Sequence, residues 1–179
     1  MLEKTLVILK PDAYARNLTG EIIARFERCG LRLEQIRVSR GEHEIIEDHY
    51  PRDEEWLTGV GGKTLADYER LGLSAKEKIG TDDAATIGRT VRGWLVDFLS
   101  SGPLVPMVWS GNRAIETVRK LVGNTLPVAA APGTIRGDYS SDSADLANEE
   151  TRPVRNLIHA SGDPEEAARE IKLWFPGLT

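Results

Sequence analysis

Four short strand-like stretches are spaced along the chain with helical stretches between them, and this alternation constrains the fold most. Residues 5–9 read Thr-Leu-Val-Ile-Leu and stop at Lys10-Pro11-Asp12, which predicts a buried strand ending at the proline. Residues 31–39 alternate loosely through Leu31, Leu33, Ile36 and Val38, a strand with an irregularity near Gln35. Residues 104–109 and 154–159 complete the set, with Pro106 better suited to an edge or a bulge than to a central position.

Helical spacing predicts helices over 20–29, capped by Thr19 and stopped by Gly30, and over 42–50. It predicts others over 83–100 and, with Asn112 as cap, up to Val122. Asp163-Pro164-Glu165-Glu166 is a strong helix start. Residues 51–62 are polar, glycine-rich and less regular. Residues 64–71 suit a two-turn helix, and Ser74-Ala-Lys-Glu77 has capping-box form. Residues 124–139 read as a long loop, and 140–152 as a loop or short surface helix.

The core pattern βαββαβ is the ferredoxin-like α+β plan, a four-stranded antiparallel sheet with helices on one face. A parallel doubly wound sheet is the competitor. The missing fifth strand and the absence of GxGxxG or GxxxxGK[ST] count against it.

At 179 residues the chain is expected to form a single domain. No apolar stretch approaches the roughly 18–20 residues of a spanning helix. Lys plus Arg is 23 and Asp plus Glu is 28, a net charge of −5. That argues against a nucleic-acid or membrane partner but leaves room for a small anion held by a local basic cluster. With one cysteine, Cys29, neither an intrachain disulfide nor a cysteine-rich metal site can form. The first residues lack the apolar core of a signal peptide, so a cytoplasmic location is expected.

Several residues could carry chemistry. His159 ends an apolar strand just before a helix start, and Glu170, eleven residues on, could fold back to orient its ring. A half-buried structural histidine is the alternative. In Pro132-Gly-Thr-Ile-Arg136-Gly-Asp138, glycines let the backbone approach a ligand and leave a guanidinium free for phosphate oxygens. A structural Arg136–Asp138 pair explains the same residues. Arg119 near a helix end and Thr125 beyond Gly123 suit a second phosphate, or a solvated helix end. Lys10 at a strand end could reach a phosphate or a ribose hydroxyl, or simply be exposed. Tyr50 and His49 end a helix. His43 reads as a surface residue.

These signals share one order and context. Thr5-Leu-Val-Ile-Leu-Lys-Pro-Asp12, His49-Tyr50, Ser101-Gly-Pro103, Pro132-Gly-Thr-Ile-Arg-Gly-Asp138, Asn156-Leu-Ile-His-Ala-Ser161 and Arg169-Glu-Ile-Lys-Leu-Trp-Phe175 resemble the motifs of the nucleoside diphosphate kinases. The resemblance covers residues 1–179 as one domain, apart from insertions at about 51–90 and 140–152.

It implies transfer of the γ-phosphate of a nucleoside triphosphate to a nucleoside diphosphate by a ping-pong mechanism, with His159 as the nucleophile. Glu170, supported by Ser161, would orient the ring. Lys10 and Arg136 would hold the transferred group, with Tyr50 alongside. Arg119 and Thr125 would hold the next phosphate, and Asn156 and Lys10 the ribose. Mg²⁺ would bridge the phosphates without a dedicated protein cage. A homo-oligomer is implied, a hexamer first and a tetramer or dimer as alternatives, with no stable nucleic-acid or membrane partner. A non-catalytic nucleotide-binding module and a kinase acting on histidines of other proteins are the readings from other classes. Counting back from Gly102 puts Val91 where the family has a base-stacking aromatic. The first insertion is therefore expected to pack near the base, with Trp56 or Tyr68 supplying a ring.

Overall fold

The computed structural model describes residues 2–40 and 42–178. Its elements are β1 Leu2–Leu9, α1 Pro11–Ala15, α2 Thr19–Arg28, β2 Arg32–Ile36, α3 His43–His49, α4 Glu54–Arg70, α5 Ala75–Ile79 and α6 Ala84–Ser100. There follow β3 Val105–Asn112, α7 Ala114–Val122, a 3₁₀ turn Pro127–Ala129, α8 Ile135–Tyr139, α9 Ala144–Glu149, β4 Ile158–Ala160 and α10 Pro164–Trp174. The strands pair antiparallel in the order β2-β3-β1-β4, the ferredoxin-like arrangement.

Helices cover both faces of this sheet, not one. Val7, Leu9, Met107 and Trp109 pack with Ile22 and Phe26 of α2 and Val118 of α7. Leu6, Ile8 and Val108 pack on the other face with Ile46 of α3, Val96 and Leu99 of α6, and Trp174 of α10. The unbroken apolar run at 5–9 carries that information, because a sheet wet on one face would alternate apolar and polar residues. No described helix is long and apolar enough to cross a membrane.

Several boundaries differ from expectation for local reasons. Pro106 lies in β3, a central strand. Its carbonyl accepts from Arg37 N at 3.2 Å, so its ring nitrogen also faces the β2 side, beyond the last β2 residue, where no ladder donor is required. The β2–β3 register shifts between Leu33 and Gln35, at the anticipated irregularity. Asn112 ends β3, and Arg113 precedes α7 at φ 48° with no side-chain cap. Thr19 is already inside α2, preceded by Leu18. The 124–139 stretch contains α8, capped by Thr134 accepting from Gly137 N.

The glycine-rich 51–62 stretch supplies the first half of α4. Of its glycines, Gly61 is the packing residue, while Gly59 and Gly62 face open space. A Cβ on Gly61 would lie 1.8 Å from Ala84 O, and one on Gly88 of α6 2.0 Å from Leu57 O. The two helices cross so closely that only glycine fits. Tyr68, Ala75 and Ile87 form a third small core between α4, α5 and α6. Tyr68 Oη donates to Asn148 O at 3.0 Å and Arg70 pairs with Asp145 at 2.7 Å, which ties α4 to α9.

Candidate active site

The site grows from where β1 ends beside β4. His159 stands opposite Ile8 in the β1–β4 register, so its ring shares the face of Ile8 and is directed toward α3 and α10. There its Nε2 lies 2.9 Å from Glu170 Oε1 and 3.0 Å from Oε2. A carboxylate only accepts, so the shared proton sits on Nε2 and Nδ1 keeps its lone pair. Ser161 Oγ donates to Glu170 Oε2 at 2.7 Å and itself accepts from Leu6 N at 3.2 Å. Strand β1, the serine, the carboxylate and the imidazole thus form one buried chain.

His49 adds a contact with no sequence signal beyond its place beside Tyr50. Its ring meets that of His159 edge to face at 4.5 Å, and its Nδ1 accepts from Trp174 Nε1 at 3.3 Å. Burial, then the His159 charge, pushes the His49 pKa down to about 3. Burial first, then the charge of Lys10, holds the His159 imidazole well below its ordinary 6.5. Both rings are therefore neutral at pH 7. Burial pushes the Glu170 carboxyl up, opposed by His49.

A strained turn builds the next part. Leu157 has φ 69°, and Ile158 N donates to Asn156 O at 2.8 Å, closing a γ-turn. The turn is clamped from two sides. Lys10 N donates to Leu157 O at 2.8 Å and Leu157 N donates to Asp12 Oδ2 at 3.0 Å. Arg136 donates to Asn156 O at 3.1 Å, Ile158 O at 2.6 Å and Gly123 O at 3.2 Å. The strain shortens β4 to Ile158–Ala160, where a strand from 154 was expected. Asp12 and Leu157 carry this scaffold, and neither residue type advertises it.

Lys10 Nζ donates to Asn156 Oδ1 at 2.7 Å, and Asn156 Nδ2 donates to Thr125 O at 3.0 Å. Burial, then the neighbouring Arg136, lowers Lys10 to about 8; burial, then Arg119, lowers Arg136 to about 10. Among the described residues no carboxylate pairs with Arg119.

A cavity of about 510 Å³ joins these groups. Its walls include Lys10, Tyr50, Arg119, Thr125, Arg136, Asn156 and His159. Glu170 and Ser161 sit behind His159, in contact with it or with each other. All nine residues anticipated from the sequence thus converge, while His43 is exposed. Leu95 of α6 also lines the cavity, whereas Val91, one turn earlier, packs against the α4–α6 core. Tyr68 is enclosed in that core and presents no ring to the cavity. Trp56 rests against Tyr50, ring centres 6.4 Å apart.

Among the described residues, one group converges closely enough to hold a metal: His49, His159 and Glu170. Two imidazoles and a carboxylate are no oxygen cage for a hard cation such as magnesium. A hard cation carried in by phosphates fits the cavity better. Glu166 is the one carboxylate on a wall otherwise furnished with cations and neutral groups.

A neutral imidazole with one nitrogen free, beside lysine and arginine in a cavity large enough for a nucleotide, defines a phosphotransferase working through histidine on an α+β sheet. The family model for nucleoside diphosphate kinase matches residues 3–56 and 85–178. A nucleoside diphosphate kinase of Pyrobaculum aerophilum is 56% identical over 174 residues, covering 97% of this chain and 95% of the relative. One from Mycobacterium tuberculosis is 38% identical over 178 residues, covering 99% of each. The crystal structure of an NDP kinase from P. aerophilum superposes with a TM-score of 0.96 at 55% identity, covering 98% of this chain and 96% of that one. A Borrelia burgdorferi nucleoside-diphosphate kinase, solved as a transition-state mimic with vanadate and ADP, gives 0.74 at 34% identity, covering 97% and 87%.

The chain belongs to the nucleoside diphosphate kinase family. Its reaction is that of the family: a γ-phosphate passes from a nucleoside triphosphate to a nucleoside diphosphate by a ping-pong route through a phosphohistidine.

Proposed function

We propose that His159 is the phosphorylated histidine. The observation that carries this reading is the engagement of Nε2 by Glu170, which leaves Nδ1 free at the wall of the cationic cavity. The Nδ1 lone pair attacks the γ-phosphorus, an N–P bond forms, and the bond to the bridging oxygen breaks. The electron pair leaves with the nucleoside diphosphate. A second diphosphate then takes the phosphoryl group back by the reverse step.

Glu170 and Ser161 hold the ring through Nε2 and offset the positive charge that develops there. Lys10 and Arg136 receive the transferred group, with Tyr50 alongside. Arg136 spends three N–H groups on carbonyls, which fixes its plane and leaves its remaining donors for phosphate. Arg119 and Thr125 take the next phosphate, and Asn156 with Lys10 the ribose. Mg²⁺ carried on the nucleotide phosphates would neutralise part of their charge.

The chain forms one domain in this reading, with insertions at about 51–90 and 140–152. The unmatched stretch 57–84 and the ties of Tyr68 and Arg70 to α9 support it. We infer a cytoplasmic homo-oligomer, a hexamer first.

The test is incubation with γ-labelled ATP followed by a GDP chase. The wild-type protein should acquire an acid-labile, alkali-stable label and lose it to GTP. His159→Ala should acquire none. A His159→Ala protein that still exchanges phosphate between ATP and GDP would overturn the assignment.

A further inference from the structure

An anion-binding cavity has no electrostatic use for a carboxylate on its wall, yet Glu166 is there. Lys10, Arg119 and Arg136 line the same space, and Glu166 is the one acid among the lining residues. Its side chain is partly buried and folds back so that Oε2 accepts from Gly162 N. The carboxylate lies close against residue 162, which is glycine. A Cβ there would lie 2.6 Å from Glu166 Oε2 and 3.7 Å from Arg119 Nη1. The carboxylate therefore sits at the Arg119 end of the cavity, where phosphate binding is assigned. Its charge also reaches His159, where it favours the protonated ring.

The hydrogen bonds of the helix start do not by themselves require an acid here. Asp163 already caps α10 by accepting from Glu166 N at 2.8 Å. A glutamine at 166 could accept from Gly162 N equally well through its amide oxygen. The charge also suits the first turn of α10, where the helix dipole favours an acid; its position on the cavity wall beside Arg119 gives it a second role.

We propose that Glu166 makes the cavity selective for the metal complex of a nucleotide over the free nucleotide. This rests on the phosphate-site reading of Arg119 and its neighbours. A bare polyphosphate beside Glu166 meets a like charge in a partly desolvated site. A divalent cation on the phosphates turns that repulsion into attraction, either by direct coordination or through one of its bound waters. Glu166 is thus a specificity-determining residue for the form of the substrate.

The experiment is calorimetric titration of the whole protein with ADP, once in excess Mg²⁺ and once in EDTA. The quantity read is the ratio of the two dissociation constants. Wild type should bind Mg–ADP more tightly than free ADP. Glu166→Gln should keep the cap and reduce that ratio about tenfold, with free ADP binding more tightly than it does to wild type. Glu166→Ser, which removes charge and cap together, should reduce the ratio equally. An unchanged ratio in both variants, or equal weakening of both forms of ADP, would overturn the proposal and leave Glu166 a helix cap. Failure of wild type to bind ADP under either condition would instead overturn the phosphate-site reading beneath it.

Discussion

Lys10 shows how one residue's burial couples charge to binding. Its ammonium is buried next to Arg136, and its pKa falls from 10.5 to about 8. The sign of the consequence differs for folding and for binding. An unfolded chain holds this proton up to pH 10.5, so the penalty of charged Lys10 on the empty fold is complete below pH 8. It is relieved as pH rises from 8 to 10.5. Phosphate needs the charged form, so ADP affinity should fall about tenfold per pH unit above pH 8. In Lys10→Met the affinity should be weak at neutral pH and flat across that window. Titration calorimetry from pH 7 to 10 reads both, and a wild-type affinity that stays constant to pH 10 contradicts the role.

At the scale of elements, the α4–α6 crossing decides how the first insertion behaves. Backbone meets backbone at Gly61 and Gly88, so a methyl group there has no flexible side chain to push aside. Gly88→Ala should destabilise the protein by on the order of 1–3 kcal/mol, read as a lower urea midpoint. Gly59 lies in the same helix α4, and a Cβ there meets nothing within 4 Å. Gly59→Ala should therefore be neutral or stabilising by up to about 1 kcal/mol. Equal loss in both variants would mean that helix strain, and not the crossing, governs α4. The crossing matters to the site because α6 carries Leu95 into the cavity wall one turn beyond the α4–α6 core.

For the whole molecule, the sheet leaves an edge to manage. Strand β2 is the outer strand next to β3, with Ile36 43% exposed and Val38, just beyond it, 56% exposed. An apolar edge of this kind invites a second chain. Val128 on the 3₁₀ turn is another exposed apolar residue, far along the chain. Light scattering at micromolar concentration should give a multiple of 19.8 kDa, with six copies first. Ile36→Lys combined with Val38→Lys should reduce the mass while leaving the far-UV spectrum unchanged. A monomeric wild type would refute the assembly.

Much of this protein was legible in its residues. The apolar runs at 5–9 and 104–109 marked two buried strands, because only a strand covered on both faces can be apolar without alternation, but Pro106 pointed to an edge and only the sheet pairing put β3 at the centre. Asp163-Pro164 determined where α10 starts, while Gly-Thr-Ile-Arg-Gly and Asn156-Leu-Ile-His159 pointed to the site's chemistry through resemblance to a family, since each alone also fitted a structural role. For the strands and the helix start, local signals sufficed because each acts within a few residues. Tertiary structure alone decided the rest. Gly61 of α4 looks like a helix breaker until a partner helix presses its backbone against it. Leu157 looks like an ordinary strand residue until Asp12, Lys10 and Arg136 hold it at positive φ. Glu166 looks like a helix-start glutamate until the fold brings it to the wall of the cavity beside Arg119. In each case the deciding contact comes from residues distant in sequence, and no local pattern records such a contact.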